Sequence, residues 1–184
     1  MTLAGAWADE VLDFWLTEIG EQGWWMRSDA TDRIIATRFG ALWEEKRTGD
    51  AQDFLGRADT ALAALLLFDQ FPRCMFRGDV RAYATDTLAR DIAHGAVARG
   101  YDTQIGGPVR AFFYSPFVHS EALADQKLAL KLFDQPGLEG NLEFARKRYA
   151  IIERFGRFPH RNAVLGRTNA PGEEEALVAV SDHW

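Results

Sequence analysis

Three stretches of this 184-residue chain gather charged and titratable side chains where helices begin or end. The first is Leu67-Phe68-Asp69-Gln70-Phe71-Pro72-Arg73. Asp69 closes a very apolar run. A carboxylate there meets two penalties, burial and the negative C-terminal end of a helix. It needs a cation: Arg73 or Arg77 nearby, or a basic segment from afar. A structural ion pair and a catalytic carboxylate both fit that requirement.

The second stretch runs from Arg110 to Glu121, with His119 just before an expected helix start and Glu121 in its first turn. A histidine and a carboxylate facing one cleft can exchange protons near neutral pH. Ordinary helix capping by Ser120, with Glu121 favoured by the helix dipole, explains the same residues without chemistry.

The third is Arg154-Phe155-Gly156-Arg157-Phe158-Pro159-His160-Arg161-Asn162, continuing to Leu165-Gly166-Arg167. Gly156 and Pro159 prevent a continuous helix, so these arginines sit on a turn. Phe155 and Phe158 anchor that turn inward and leave guanidinium groups to share a site. Arginine forks match carboxylate and phosphate oxygens bidentately. The competing reading is a network in which these arginines hold Asp69, Glu121 and helix-end carbonyls.

Periodicity sets the elements that carry these stretches. Val11, Leu12, Trp15, Leu16 and Ile19 recur at helical spacing and stop at Gly20. A second helix is expected over 29–46, with Ile34, Ile35, Arg38, Phe39, Leu42 and Trp43 inward. A third covers about 57–70 and breaks at Phe71, because a residue before proline is biased out of the helical region. A turn and helix over 79–99 close at Gly100. A short helix opens at Pro108, and Ser120 is the expected N-cap of the next, which runs to about Asp134. The stripe Leu138, Leu142, Ala145, Tyr149, Ile152 marks a helix ending near Gly156, and a last short helix starts at Pro171. No strand pattern competes, so residues 1–184 read as one all-α domain.

Composition narrows the function classes. The chain is 47% hydrophobic, which excludes disorder. Its longest strongly apolar stretch, Ala61–Phe68, is far shorter than the roughly 20 residues of a membrane span. Asp9, Glu10 and Asp13 occupy the N-terminal region without a basic segment, so no signal peptide is expected. With one cysteine, Cys74, no intrachain disulfide forms, and a cytoplasmic location is expected. Cys74 beside Arg73 is either packing or a thiol of lowered pKa. The four histidines lack zinc spacing, and neither a phosphate loop nor a nucleophile elbow is present, so no metal or cofactor is expected.

Charge is uneven. Residues 146–167 hold seven Lys or Arg and one acid, giving +6, while the rest of the chain carries −12. Either an anion site or neutralisation by distant acids accounts for this. The net charge of −6 weighs against nucleic-acid binding.

Several blocks also resemble a known family. These are Leu-Phe-Asp-Gln-Phe-Pro-Arg ending at Arg73, His119-Ser120-Glu121-x-x-x-Asp125-Gln126, and the long block from Arg154 to Arg167. Together with Phe14-Trp15 and Trp24-Trp25, they resemble the bacterial family called domain of unknown function 924. The resemblance implies a compact helical array of antiparallel pairs related to tetratricopeptide-repeat proteins. It implies no activity and transfers no catalytic residue. Asn169-Ala170-Pro171-Gly172-Glu173 departs from the family's usual Ser-Thr-Pro-Glu-Glu at this point.

Two functions follow as expectations. One is a pocket for a small phosphate or carboxylate ligand, lined by Asp69, Arg73, Arg110, His119, Glu121, Arg154, Arg157, His160, Arg161 and Arg167. The other is a helical scaffold for a protein or peptide, with the Arg-rich turn a structural ion-pair network.

Overall fold

The computed structural model describes residues 5–174, and among these the chain is all helix and turn. Eight helices order the chain: α1 (Ala6–Leu12), α2 (Asp29–Lys46), α3 (Ala58–Leu65), α4 (Phe71–Met75), α5 (Asp86–Ala98), α6 (Ala111–His119), α7 (Leu123–Phe133) and α8 (Glu139–Phe155). Two of them are extended by wider π turns, Asp13–Ile19 after α1 and Leu66–Gln70 between α3 and α4. Helices packed on one another include α1 and α3, α2 and α4, α5 and α6, α6 and α7, and α7 and α8.

The centre of the array is the Ala/Leu run. Every residue from Ala61 to Phe68 is at most 1% exposed. A helix apolar on all sides must be surrounded, and α1, α5 and α6 all pack on α3. Each fully buried leucine there contributes roughly 1.5–3 kcal/mol. No helix of the described residues is long and apolar enough to cross a membrane.

Helix α2 has the expected bounds, because Ser28 accepts from Thr31 N as its cap. Its buried face is Ile35, Phe39 and Trp43, whereas Ile34 is exposed. The expected break at Phe71 does not occur. Phe71 keeps helical angles, and Pro72 falls in the first turn of α4, where a missing N–H is tolerated. Asp69 therefore lies inside a π turn, not at a helix C-terminus. Helix α7 begins at Leu123 with Ala122 as its N-cap, later than expected, because the Ser120 hydroxyl is engaged elsewhere. Helix α8 ends as expected at Gly156, whose φ of +68° is costly for other residues. The helix expected from Pro171 lies largely outside the described residues.

Candidate functional site

Pro72 is where the site begins. In a regular helix the carbonyl of Phe68 would accept from the N–H of residue 72, which proline lacks. The chain widens into a π turn over Leu66–Gln70, and the Thr85 hydroxyl donates to the Phe68 carbonyl at 2.7 Å. Such single π turns recur at functional sites. Asp69 stands on this turn, 1% exposed.

An imidazole and a guanidinium meet Asp69. His119, the last residue of α6, places Nδ1 2.8 Å from Oδ1. Arg73, one turn along α4, places Nη1 3.1 Å from Oδ1. Arg73 then reaches Asp86 at the start of α5, 3.0 Å away. Asp86 also receives Arg161 Nη1 at 3.2 Å, and Arg161 Nη2 donates to the His119 carbonyl at 2.8 Å. The Tyr83 ring lies under both guanidiniums, 4.5 Å from Arg161 and 5.8 Å from Arg73. Asp69, His119, Arg73, Asp86 and Arg161 are thus one connected chain of charge.

Burial and the neighbouring Arg73 cation push His119 down to about 4, against the pull of Asp69. His119 is neutral at pH 7, its Nδ1–H donates to Asp69, and its lone pair sits on Nε2. Burial alone would raise the Asp69 carboxyl, but His119, Arg73 and the donated hydrogen bonds hold it below the ordinary carboxylate range. His160 is pushed down to about 3, by burial and then by Arg148, Arg161, His119 and Arg73. Burial, then like charge, lowers Arg148 to about 9.

The Arg-rich segment is held by two acidic fasteners. Glu121 accepts two bonds from Arg167, at 2.8 and 2.9 Å, and one from the Phe158 N–H at 2.7 Å. Glu173 accepts two from Arg157, at 2.6 and 2.9 Å, and others from Asn162 and the Ala170 N–H. Phe158 is fully buried, so the turn is pinned inward as its aromatic residues require. The short 3₁₀ turn Pro159–Arg161 then delivers His160 and Arg161 to the charge chain. Much of the +6 segment is neutralised by acids far away in sequence.

The block around His119 splices α6 to α7. Ser120 Oγ donates to Asp125 at 2.6 Å and accepts from Ala122 N. Asp125 also meets His94 Nε2 at 3.1 Å. Gln126 Nε2 donates to the carbonyls of Phe117, Val118 and Ser120, caring for the C-terminal end of α6.

Of the ten expected residues, Asp69, Arg73, His119 and Arg161 are in direct contact, and His160 adjoins them. Glu121 and Arg167 form the first fastener and Arg157 the second. Arg110 joins neither; it bonds the Gln135 side chain and the Asp102 carbonyl. Arg154, at the end of α8, lies over Phe155. Arg110 and Arg154 thus stand apart from the other eight. Three shallow depressions of about 460, 340 and 400 Å³ lie elsewhere, and none is lined by these residues. The Cys74 thiol is pushed up to about 12, mainly by burial, which corrects the idea of an activated thiol. Among the described residues, no three His, Cys, Asp or Glu side chains converge as metal ligands.

Sequence reasoning passed over Asp86, Tyr83 and Arg148. Asp86 read as an ordinary first-turn acid, and Arg148 interrupts an apolar stripe yet is 3% exposed, over the Phe144 and Phe158 rings. A charged residue at helical register with buried neighbours is the signal that would have found Arg148.

The residues of these networks fall within a stretch that matches a family model. Residues 11–180 match the model for bacterial proteins of unknown function, DUF924. The chain belongs to this family. A DUF924 assignment agrees with the long Arg154–Arg167 block and with the Asp69 and His119 blocks. The fold of this DUF924 protein is also similar to a solved protein of unknown function from Agrobacterium tumefaciens, at 39% identity and a TM-score of 0.88. That similarity covers 95% of this chain and 98% of the other. Comparison with curated proteins gave no match.

Proposed function

We propose that this DUF924 protein binds a small oxyanion, a phosphate or carboxylate group, where His160 and Arg161 meet Arg73 and Asp86. One observation carries the reading. His160 Nδ1 and Arg161 Nε are buried and make no hydrogen bond among the described residues. They belong to consecutive residues of one turn. A buried polar atom left unsatisfied costs about 1–3 kcal/mol, and folded proteins keep few of them. An oxyanion accepts from a guanidinium Nε–H and from an imidazole N–H alike. The π turn under Asp69 and the two histidines held neutral among arginines add weight, because perturbed groups cluster at functional sites.

Both nitrogens are buried, so a ligand that reaches them is ion-sized or presents one anionic group. Glu121, Arg157 and Arg167 shape it by fixing the turn. Thermal shifts in phosphate, sulfate and acetate, against chloride of equal ionic strength, test the reading. Stabilisation by an oxyanion follows mass action and is lost in Arg161→Gln. Equal melting in all four salts sinks it.

A second reading is a tetratricopeptide-like scaffold for a protein or peptide, with the Arg-rich turn purely structural. The two-pronged pairs Arg157 with Glu173 and Arg167 with Glu121 favour it. Under that reading Arg161→Gln lowers stability and no oxyanion raises it.

A further inference from the structure

The turn that carries His160 is ringed by positive groups. The His160 ring packs on Phe158, with centroids 5.4 Å apart. The charged and titratable groups acting on it come from four elements: Arg148 on α8, Arg73 on α4, the neutral His119 at the end of α6, and Arg161 on its own turn. Asp86 on α5 reaches the same node through Arg73 and Arg161, and Asp69 through Arg73 and His119. The ion pairs closest to the node already balance, with Arg73 and Arg161 set against Asp69 and Asp86. An anion entering here adds negative charge to a buried, balanced set, which is costly unless positive charge arrives with it. The two histidines are the groups that can supply it. His119 spends its Nδ1–H on Asp69. His160 has a buried Nδ1 with no hydrogen bond among the described residues.

We propose that an oxyanion enters this node together with one proton from solvent, held on His160. This rests on the anion-binding reading above. The proton moves from bulk water to the imidazole, no covalent bond to the anion forms, and the product is an imidazolium beside the anion. Burial and the surrounding cations hold His160 near 3. A dianion in contact opposes those cations directly and favours the charged ring.

Sulfate is the probe, because it carries two charges and does not titrate near neutral pH. Calorimetric titration of the full chain near pH 6, in two buffers of different ionisation enthalpy, reads proton uptake directly. The expected result is uptake of most of one proton per sulfate. Sulfate affinity should rise about tenfold for each unit of falling pH while a whole proton is taken up. In His160→Gln the affinity should be flat with pH. Sulfate binding with buffer-independent heat overturns the proton coupling and leaves the anion reading standing. So does a pH slope that persists in His160→Gln. Absence of binding by sulfate, phosphate and acetate overturns both. Should His160→Gln fail to fold, the wild-type buffer dependence decides alone.

Discussion

His119 Nδ1 lies 2.8 Å from Asp69 Oδ1, across fifty residues of chain. This contact ties the end of α6 to the π turn before α4. It also fixes the tautomer of the imidazole, since an ionised carboxylate can only accept.

Asp69→Asn removes the charge while keeping the shape. Arg73 then loses one of its two carboxylates inside the protein. Breaking a buried pair in this way costs about 3–5 kcal/mol. Urea denaturation of the variant should show that loss, whereas an unchanged midpoint would mean the pair contributes nothing to the fold.

Stability should fall with acid well above the carboxylate range. His119 is held at about 4 and His160 at about 3, both below their ordinary value. The unfolded chain therefore takes up protons through about pH 6.5 while the folded chain does not. More protons bound in the unfolded state means stability drops as pH falls through this window. For His119 the loss continues to about pH 4 and for His160 to about 3. Asp69, depressed in the folded state, adds its own loss below roughly pH 3.9. Between about pH 7.5 and 4.5 the expected decline is on the order of 2–3 kcal/mol for each histidine. His119→Gln and His160→Gln should each flatten it, and a denaturation midpoint constant across the window contradicts the assignment.

Glu121 and Arg167 form a two-pronged pair that also holds the Phe158 N–H. Bidentate, partly buried pairs exceed ordinary surface bridges. A double-mutant cycle with Glu121→Gln and Arg167→Met should give a coupling of about 1–2 kcal/mol. Amide exchange across 156–167 should quicken in either single variant. Strict additivity would show that the turn is held by Phe158 packing instead.

Gln126 serves three carbonyls at the end of α6. Gln126→Ala leaves buried acceptors without their donor and should cost about 1–3 kcal/mol. Gln126→Glu replaces the donor with a carboxylate facing those carbonyls and should cost more. Melting temperatures in that order, wild type above Ala above Glu, are the expected outcome; Ala and Glu melting alike would argue against this role.

The helices were legible where the signal was local. The apolar period placed α2 over 29–46, where the structure adds a Ser28 cap, and Gly100 and Gly156 stopped α5 and α8. The π turn was not legible. Pro72 reads as a stop until Thr85, from another element, supplies the donor that Phe68 would otherwise lack. Ser120 reads as a cap until Asp125 takes its hydroxyl.

The chain's own sequence determined that Asp69 is buried in an apolar run, that it needs a cation, and that the Arg154–Arg167 stretch is a turn anchored by phenylalanines. These follow from hydrophobic period, proline and glycine, which act over a few residues. Which cation answers which acid was decided by the tertiary structure alone. Of the two local candidates, Arg73 reaches Asp69 but Arg77 goes to Asp32; the ionisable partner of Asp69 at closest approach is the His119 imidazole, and Arg161 goes to Asp86, a residue that spacing left unremarked. Coulomb attraction carries no sequence address. Only the packing of α5 and of α8 on α6 brings those charges within reach and leaves His160 and Arg161 with nitrogens still to satisfy.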